Sequence, residues 1–388
     1  MSWALADGLE VRRWEGGAVA YCEPSGDTHR LSPAAAEVVA ALAAGGEAGD
    51  SVVLHHLARA GLVEAKTPSR VRERAGAIAS RWEGDGTGDC VLGTPSSSRP
   101  AAEPPQGERD VTFATGPFVV RLHSGIAAVA EAVSLFYADR IVDDRPFADF
   151  HIALVRPHGL RRWVRPQVWF DFDGARPFRP LPLDQAPAVL EWGLNWCIAA
   201  HAHSWLVLHA AAVARDGRAV LLPGPPGAGK STLAAALALS GWRLLSDELA
   251  LLSLDASAVM PLDRPANLKN RSIDVIRGRF AAAVFGPTMA DTAKGRVALL
   301  KNPAASGPPA APVAIVVPCF AAGEAAILEP MAKADACLLL GEHSFNYSIL
   351  GRRGFEAAAR LVESCGCWRL TYGDLDRALP LVAGLLSP

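Results

Sequence analysis

Gly224-Pro225-Pro226-Gly227-Ala228-Gly229-Lys230-Ser231 reads G-x-x-x-x-G-K-S without a break. That order of residue types suits the binding of a polyphosphate. Phosphate oxygens need hydrogen-bond donors with no bulky side chain in the way, and glycines let backbone N–H groups wrap an anion. A helix starting just after Gly229 would add its unsatisfied N–H groups and the positive end of its dipole. Lys230 would then reach the β- and γ-phosphates, and the Ser231 hydroxyl could complete the shell of a magnesium ion. Gly224, Gly227, Ala228, Gly229, Lys230, Ser231 and the following Thr232 are the candidate nucleotide contacts. ATP and Mg2+ are the implied cofactors.

Phosphoryl transfer also needs a carboxylate for the metal and a group to take the proton of the acceptor hydroxyl. Asp247 and Glu248 end the run Trp242-Arg243-Leu244-Leu245-Ser246, and ligands of α/β sheets collect beyond the carboxyl ends of the strands. Adjacent residues of a strand point opposite ways. One acid can therefore face the metal or acceptor, while the other turns elsewhere unless the strand stops there. Alone, the pair would read equally as a solvated turn. His209 closes the apolar stretch Trp205-Leu206-Val207-Leu208, where a lone histidine is more often a packed core or edge residue. Cys365 and Cys367 form a C-x-C with no partner pair or histidine cluster. They read as small residues on one side of a strand rather than as zinc ligands.

These side chains need a scaffold. Ala219-Val220-Leu221-Leu222 is a short apolar strand before the glycine-rich loop, and Ser231 to Ser240 is an Ala/Leu helix closed by Gly241. Upstream, Phe118–Leu122 and Val168–Phe172 read as strands. Ile126–Tyr137 reads as a helix, and an apolar helix runs from Leu183-Asp184 toward His203. The alternation predicts an α/β domain, a sheet with covering helices, over residues 110–388.

The front of the chain is separate in pattern. Leu9–Trp14, Ala18–Cys22 and Thr28–Leu31 are strand-like runs divided by turn residues. Ser32 is an N-cap with Pro33 in the first helical position, opening a helix that ends at Gly45-Gly46. A second short helix runs from Val52 to Ala60 and stops at Gly61. Residues 1–66 thus form a small domain. Residues 67–109 read as a flexible linker: 70–82 can hold a charged helix, but Gly84 to Glu108 is rich in Gly, Ser, Pro and Thr and cannot bury enough apolar surface to offset its ordering entropy.

Bulk numbers narrow the partners. A net charge of -2 over 388 residues argues against a chain-wide nucleic-acid surface. No apolar run approaches the ~20 residues of a transmembrane helix, so no membrane partner is expected. The segment Met1–Glu10 lacks a basic and apolar signal pattern, and seven scattered cysteines do not make a disulfide framework. A cytoplasmic chain is expected.

The runs Leu208-His209-Ala210-Ala211, Ala219 through Thr232 and Trp242 through Glu248 resemble P-loop kinases of the HPr kinase/phosphorylase type, and more closely the branch called HPr-related kinase A. Further likeness lies in Arg161-Arg162-Trp163, Pro180 to Gln185, Glu191-Trp192-Gly193-Leu194-Asn195-Trp196-Cys197, Leu268-Lys269-Asn270, Lys294-Gly295 and Ser344-Phe345-Asn346-Tyr347. The resemblance implies the HPr kinase/PEP carboxykinase fold. It implies His209 as an active-site histidine and Asp247 as the base toward the acceptor hydroxyl; Lys230, read from the glycine-rich loop itself, is the third candidate catalytic group. Glu248 falls where the family has a second aspartate, and it would hold magnesium with Ser231. Lys269, Asn270, Lys294 and Asn346 would contact phosphate or acceptor, or else stand as solvated surface residues. The glycine-arginine signature of the reverse, phosphorolytic reaction is not found. HPr kinases assemble as hexamers, which leaves room for a homo-oligomer.

Trp14, Tyr21, Ser25-Gly26-Asp27-Thr28-His29, Leu31, Pro33 and Gly61-Leu62-Val63-Glu64 resemble the PqqD family, small winged-helix-like α+β modules that add a leader peptide as a strand to their own sheet. The segment between Leu42 and Val52 is short for that family, which leaves a structural or dimerising role open. The two resemblances together imply a kinase acting on a hydroxyl, Ser or Thr, of a peptide or small protein that the N-terminal module recruits and the linker delivers. A kinase of a small metabolite and a nucleotide-gated binding module without transfer stay open as alternatives.

Overall fold

The apolar alternation of Gly17–Cys22 has a direct structural consequence. In a computed structural model, which describes residues 3–46, 52–65, 109–142, 147–159, 163–303 and 307–386, this strand is the centre of an antiparallel sheet between Leu9–Trp14 and Asp27–Leu31. Ala18, Ala20 and Cys22 face the module's own helices, Pro33–Ala43 and Val52–Arg59. Ser32 caps the first helix, its hydroxyl accepting the Ala35 amide at 3.2 Å. Trp3–Leu5 pairs antiparallel with Val63–Ala65 and ties the module's ends together.

Val19 and Tyr21, on the other face of that strand, belong to a hydrophobic cluster of the C-terminal part. The Tyr21 ring stacks on Phe355 at 5.3 Å and meets Tyr347 edge-on at 6.3 Å. Thr28 and Tyr347 share a hydrogen bond of 2.9 Å, and Arg30–Asp335 and Arg352–Glu10 are ion pairs at 2.6 Å. A strand covered on both faces must be apolar at every position, as Ala18–Cys22 is. The module is therefore docked on the rest of the chain. Free delivery of cargo, expected from the linker composition, is not what these contacts describe. The linker itself lies outside the described residues as far as 108, as do the helix expected at 70–82 and Arg161 and Arg162.

The C-terminal part is mixed α/β. Its central six-stranded sheet runs in the order Arg243–Ser246, Ala210–Arg215, Arg218–Pro223, Ala311–Phe320, Gly366–Tyr372, Ile327–Pro330. Arg218–Pro223, Ala311–Phe320 and Gly366–Tyr372 are parallel, whereas Ala210–Arg215 is antiparallel to both of its neighbours. Lys230–Leu239 packs on this sheet with Leu233 and the four alanines 234, 235, 236 and 238 buried. Side chains that small let a helix approach a sheet closely. A second, five-stranded sheet spans Arg109 to Pro182 and is covered by the helices Ala127–Tyr137 and Ala186–His201. Gly193 allows the second of these to lie on the sheet, since a Cβ there would sit 1.9 Å from the Phe170 ring. The helix expected from Leu183 begins at Ala186, after one tight turn over Leu183–Gln185.

Candidate active site

The loop Gly224–Gly229 leaves the sheet at the end of Arg218–Pro223, and the helix starts at Lys230. Gly229 has φ +96°, and a Cβ there would lie 2.4 Å from the Tyr372 hydroxyl, which donates to the Gly229 carbonyl at 3.2 Å. Only glycine fits. Lys230 is buried, and its Nζ donates to the carbonyls of Gly224 at 2.6 Å and Pro225 at 3.0 Å, which holds the ammonium at the mouth of the loop. Burial lowers its pKa, opposed by the charge of Asp247.

The strand order explains why His209 and the two acids meet the loop. Ala210 pairs with Pro223 and Ala212 with Ser246. His209, Gly224 and Asp247 therefore emerge at the same end of the sheet, with the histidine's strand between those of the loop and the acids. His209 and Asp247 border one cleft of about 1880 Å³ with Gly227, Gly229, Lys230, Ser231 and Glu248. The His209 amide donates to the His343 carbonyl at 2.6 Å, and its ring lies 5.5 Å from Phe345. Burial first, then the Lys230 charge, pushes the imidazole down to about 4, so it is neutral at physiological pH.

Asp247 and Glu248 are held differently, as the end of the strand permits. Asp247 is buried; one carboxylate oxygen accepts the Asn267 amide at 2.8 Å and the other, Oδ1, has no hydrogen-bond partner within the protein. Burial and the neighbouring Glu248 raise Asp247 to about 6, while the Ser231 hydroxyl acts in favour of its charged form. Glu248 accepts Lys269 Nζ at 3.0 Å and Asn267 Nδ2 at 3.3 Å on Oε1, and Asn195 Nδ2 at 2.5 Å on Oε2. Burial would raise its pKa, but Lys269, with Lys294 and Arg264, outweighs that and keeps it below the usual glutamate value. The two acids are thus set apart in proton affinity, the pattern of carboxylates with separate roles.

These groups suit a phosphate-bound magnesium ion. Such a site takes one or two carboxylates and a hydroxyl, with phosphate oxygens and water as the other ligands. Ser231 and Glu248, the pair read from sequence, would supply those donors, which leaves Asp247 Oδ1 unpartnered. Among the described residues no cluster of three or more His, Cys, Asp or Glu forms a self-sufficient metal cage.

Of the further expected contacts, Lys269, Asn270 and Lys294 border the cleft. Asn346 does not. It is fully buried, bonding the Val207 amide at 3.0 Å and the carbonyls of Ala202 and Trp205 at 3.3 and 2.8 Å, so its work is to pin the segment that carries Phe345. Asn267, His343 and Tyr372 were not singled out from sequence, and no local pattern marks them. Cys365 and Cys367 are buried in the core, with no third ligand among the described residues. No protein-family model matches the sequence and no curated protein matches it, so the chemistry rests on these residues themselves.

Proposed function

We propose that this chain is an ATP-dependent kinase of the HPr kinase/PEP carboxykinase type. In this reading it transfers the γ-phosphate to a hydroxyl, Ser or Thr, of a peptide or small protein recruited by the N-terminal module. The observation that carries the reading is the meeting of the glycine-rich loop, Lys230, Ser231, His209 and the two unlike acids in one cleft. Its size also matters. A drug-sized ligand fills ~300–1,000 Å³, so 1880 Å³ holds a nucleotide with space beside it for an acceptor.

The loop amides and the Lys230 ammonium bind the phosphates and offset charge on the transferring group. Asp247, with a pKa near neutrality, takes the acceptor's proton as the hydroxyl oxygen bonds to the γ-phosphorus and the bond to the β-phosphate oxygen breaks, leaving ADP. Ser231 and Glu248 would hold magnesium, which would supply positive charge against the phosphates. His209, neutral, offers the acceptor or phosphate a hydrogen bond rather than a charge. Among the described residues the Asp27–Leu31 strand pairs only with Gly17–Cys22, and its other edge is where an extended peptide would add. Because the module is docked, that edge sits at a fixed place relative to the cleft.

The deciding assay is transfer of labelled γ-phosphate from ATP with magnesium to short peptides encoded beside the gene, wild type against Asp247→Asn. Label on a peptide, lost in the variant, supports the reading. Nucleotide binding with label on no peptide would turn it toward a small-metabolite kinase or a gating module without transfer.

A further inference from the structure

One buried polar network reaches the site from the helix Ala186–His201. Arg264, only 8% exposed, donates through Nε and Nη2 to Glu191 Oε2 at 3.0 and 2.7 Å and through Nη2 to the Glu191 carbonyl at 2.6 Å. The Tyr137 hydroxyl occupies the other oxygen of Glu191 at 2.7 Å. The remaining arm of the guanidinium, Nη1, donates at 2.6 Å to Asn195 Oδ1. Glu191 and Asn195 are four residues apart on one helix face, so a single planar guanidinium engages both.

That contact fixes which way the Asn195 amide points. A side-chain amide has a donor end and an acceptor end and can flip. With its oxygen committed to Arg264, Asn195 must turn its NH2 outward, where it meets Glu248 Oε2 at 2.5 Å. Glu248 is therefore stretched between donors on opposite oxygens, Asn195 on Oε2 and Lys269 with Asn267 on Oε1. Without the Asn195 contact, Oε2 would be free to swing toward the Lys269 ammonium, which is one-third exposed and able to follow.

We propose that Asn195, aimed by Arg264, is a positioning residue that keeps Glu248 Oε2 from joining Oε1 on Lys269 and so leaves it aimed at bound magnesium–nucleotide. This rests on the reading of the cleft as a magnesium–nucleotide site. It gives a role to the Glu191–Cys197 run, which the phosphate chemistry alone does not use.

A double-mutant cycle on nucleotide binding tests it, with no acceptor or turnover required. The probe is the non-hydrolysable ATP analogue AMP-PNP, titrated by calorimetry over a range of magnesium concentrations, with melting temperature measured in parallel. Asn195→Leu is expected to raise the magnesium concentration for half-maximal binding about tenfold. In a Glu248→Gln background the same substitution is expected to shift it less than twofold. An unchanged magnesium requirement in Asn195→Leu, or an equal shift in both backgrounds, overturns the positioning role while the nucleotide reading stands. Wild type that binds no AMP-PNP at any magnesium concentration overturns the nucleotide reading and this inference with it. If Asn195→Leu does not fold, Asn195→Ala, which leaves room for a water beside Arg264, takes its place with the same expected outcomes.

Discussion

The docking of the N-terminal sheet makes Tyr21→Ala an informative perturbation. The side chain is 1% exposed, stacked on Phe355 and edge-on to Tyr347, and it faces the C-terminal part rather than the module's own helices. Truncating a buried aromatic to alanine costs about 3–5 kcal/mol. Domains are stable by roughly 5–15 kcal/mol, so this one change removes a large share. With an m-value of about 3 kcal/mol/M in urea, the midpoint should fall by on the order of 1 M. Fluorescence of the ten tryptophans, spread through both parts of the chain, follows the transition. The expected result is one cooperative transition moved to lower urea. A variant that unfolds at the wild-type midpoint would refute the docking argument. So would one that loses the first 65 residues in a separate early step while the remainder unfolds where wild type does. The same geometry says that deleting residues before 110 uncovers Phe355 and Tyr347, so such a truncation should aggregate before it can report on peptide recruitment.

Lys230→Ala should lower phosphoryl transfer by about 10²- to 10³-fold, the scale of losing one preorganised electrostatic contact, with little change in melting temperature; a rate within threefold of wild type would remove Lys230 from its role. Because burial raises Asp247 of the free chain to about 6 and a base must be ionised, kcat/KM should fall about tenfold per pH unit below 6 and level off above 7. His209, at about 4, should add no second limb between pH 5 and 8, so a profile flat from pH 5 to 7 would count against the base assignment. Gly229→Ala forces a side chain onto the Tyr372 hydroxyl at a left-handed backbone position, and AMP-PNP binding should be lost; restored binding in Gly229→Ala with Tyr372→Phe would locate the problem at the hydroxyl, whereas continued loss would locate it in the backbone.

The local elements were legible in the sequence. Ser32 caps its helix, Gly61 ends the next, and the glycine-rich loop lies between a strand and a helix because residue type dictates backbone conformation over a few positions. Asp247 and Glu248 were legible as a pair at a strand end for the same reason. What each acid does was not. Their difference comes from Asn267, Lys269 and Asn195, which lie 20, 21 and 53 residues from the acid each one bonds and are brought to it by packing. From its neighbours alone His209 read as a packed core or edge residue; its place at the cleft follows from the antiparallel strand Ala210–Arg215 lying between the loop and the acids, since sheet order is a long-range choice that no local pattern encodes. Asn346 read as a phosphate or acceptor contact, or else as a solvated surface residue, and is a buried clamp. The docked module is the extreme case. Thr28 and Tyr347 are 319 residues apart in the chain, and only burial of the second face of Gly17–Cys22 joins them. Sequence sets which conformations and which buried faces a segment can accept; the tertiary structure decides which distant surface covers each face, because burial of apolar area is non-directional and many partners satisfy it equally until the whole chain is packed.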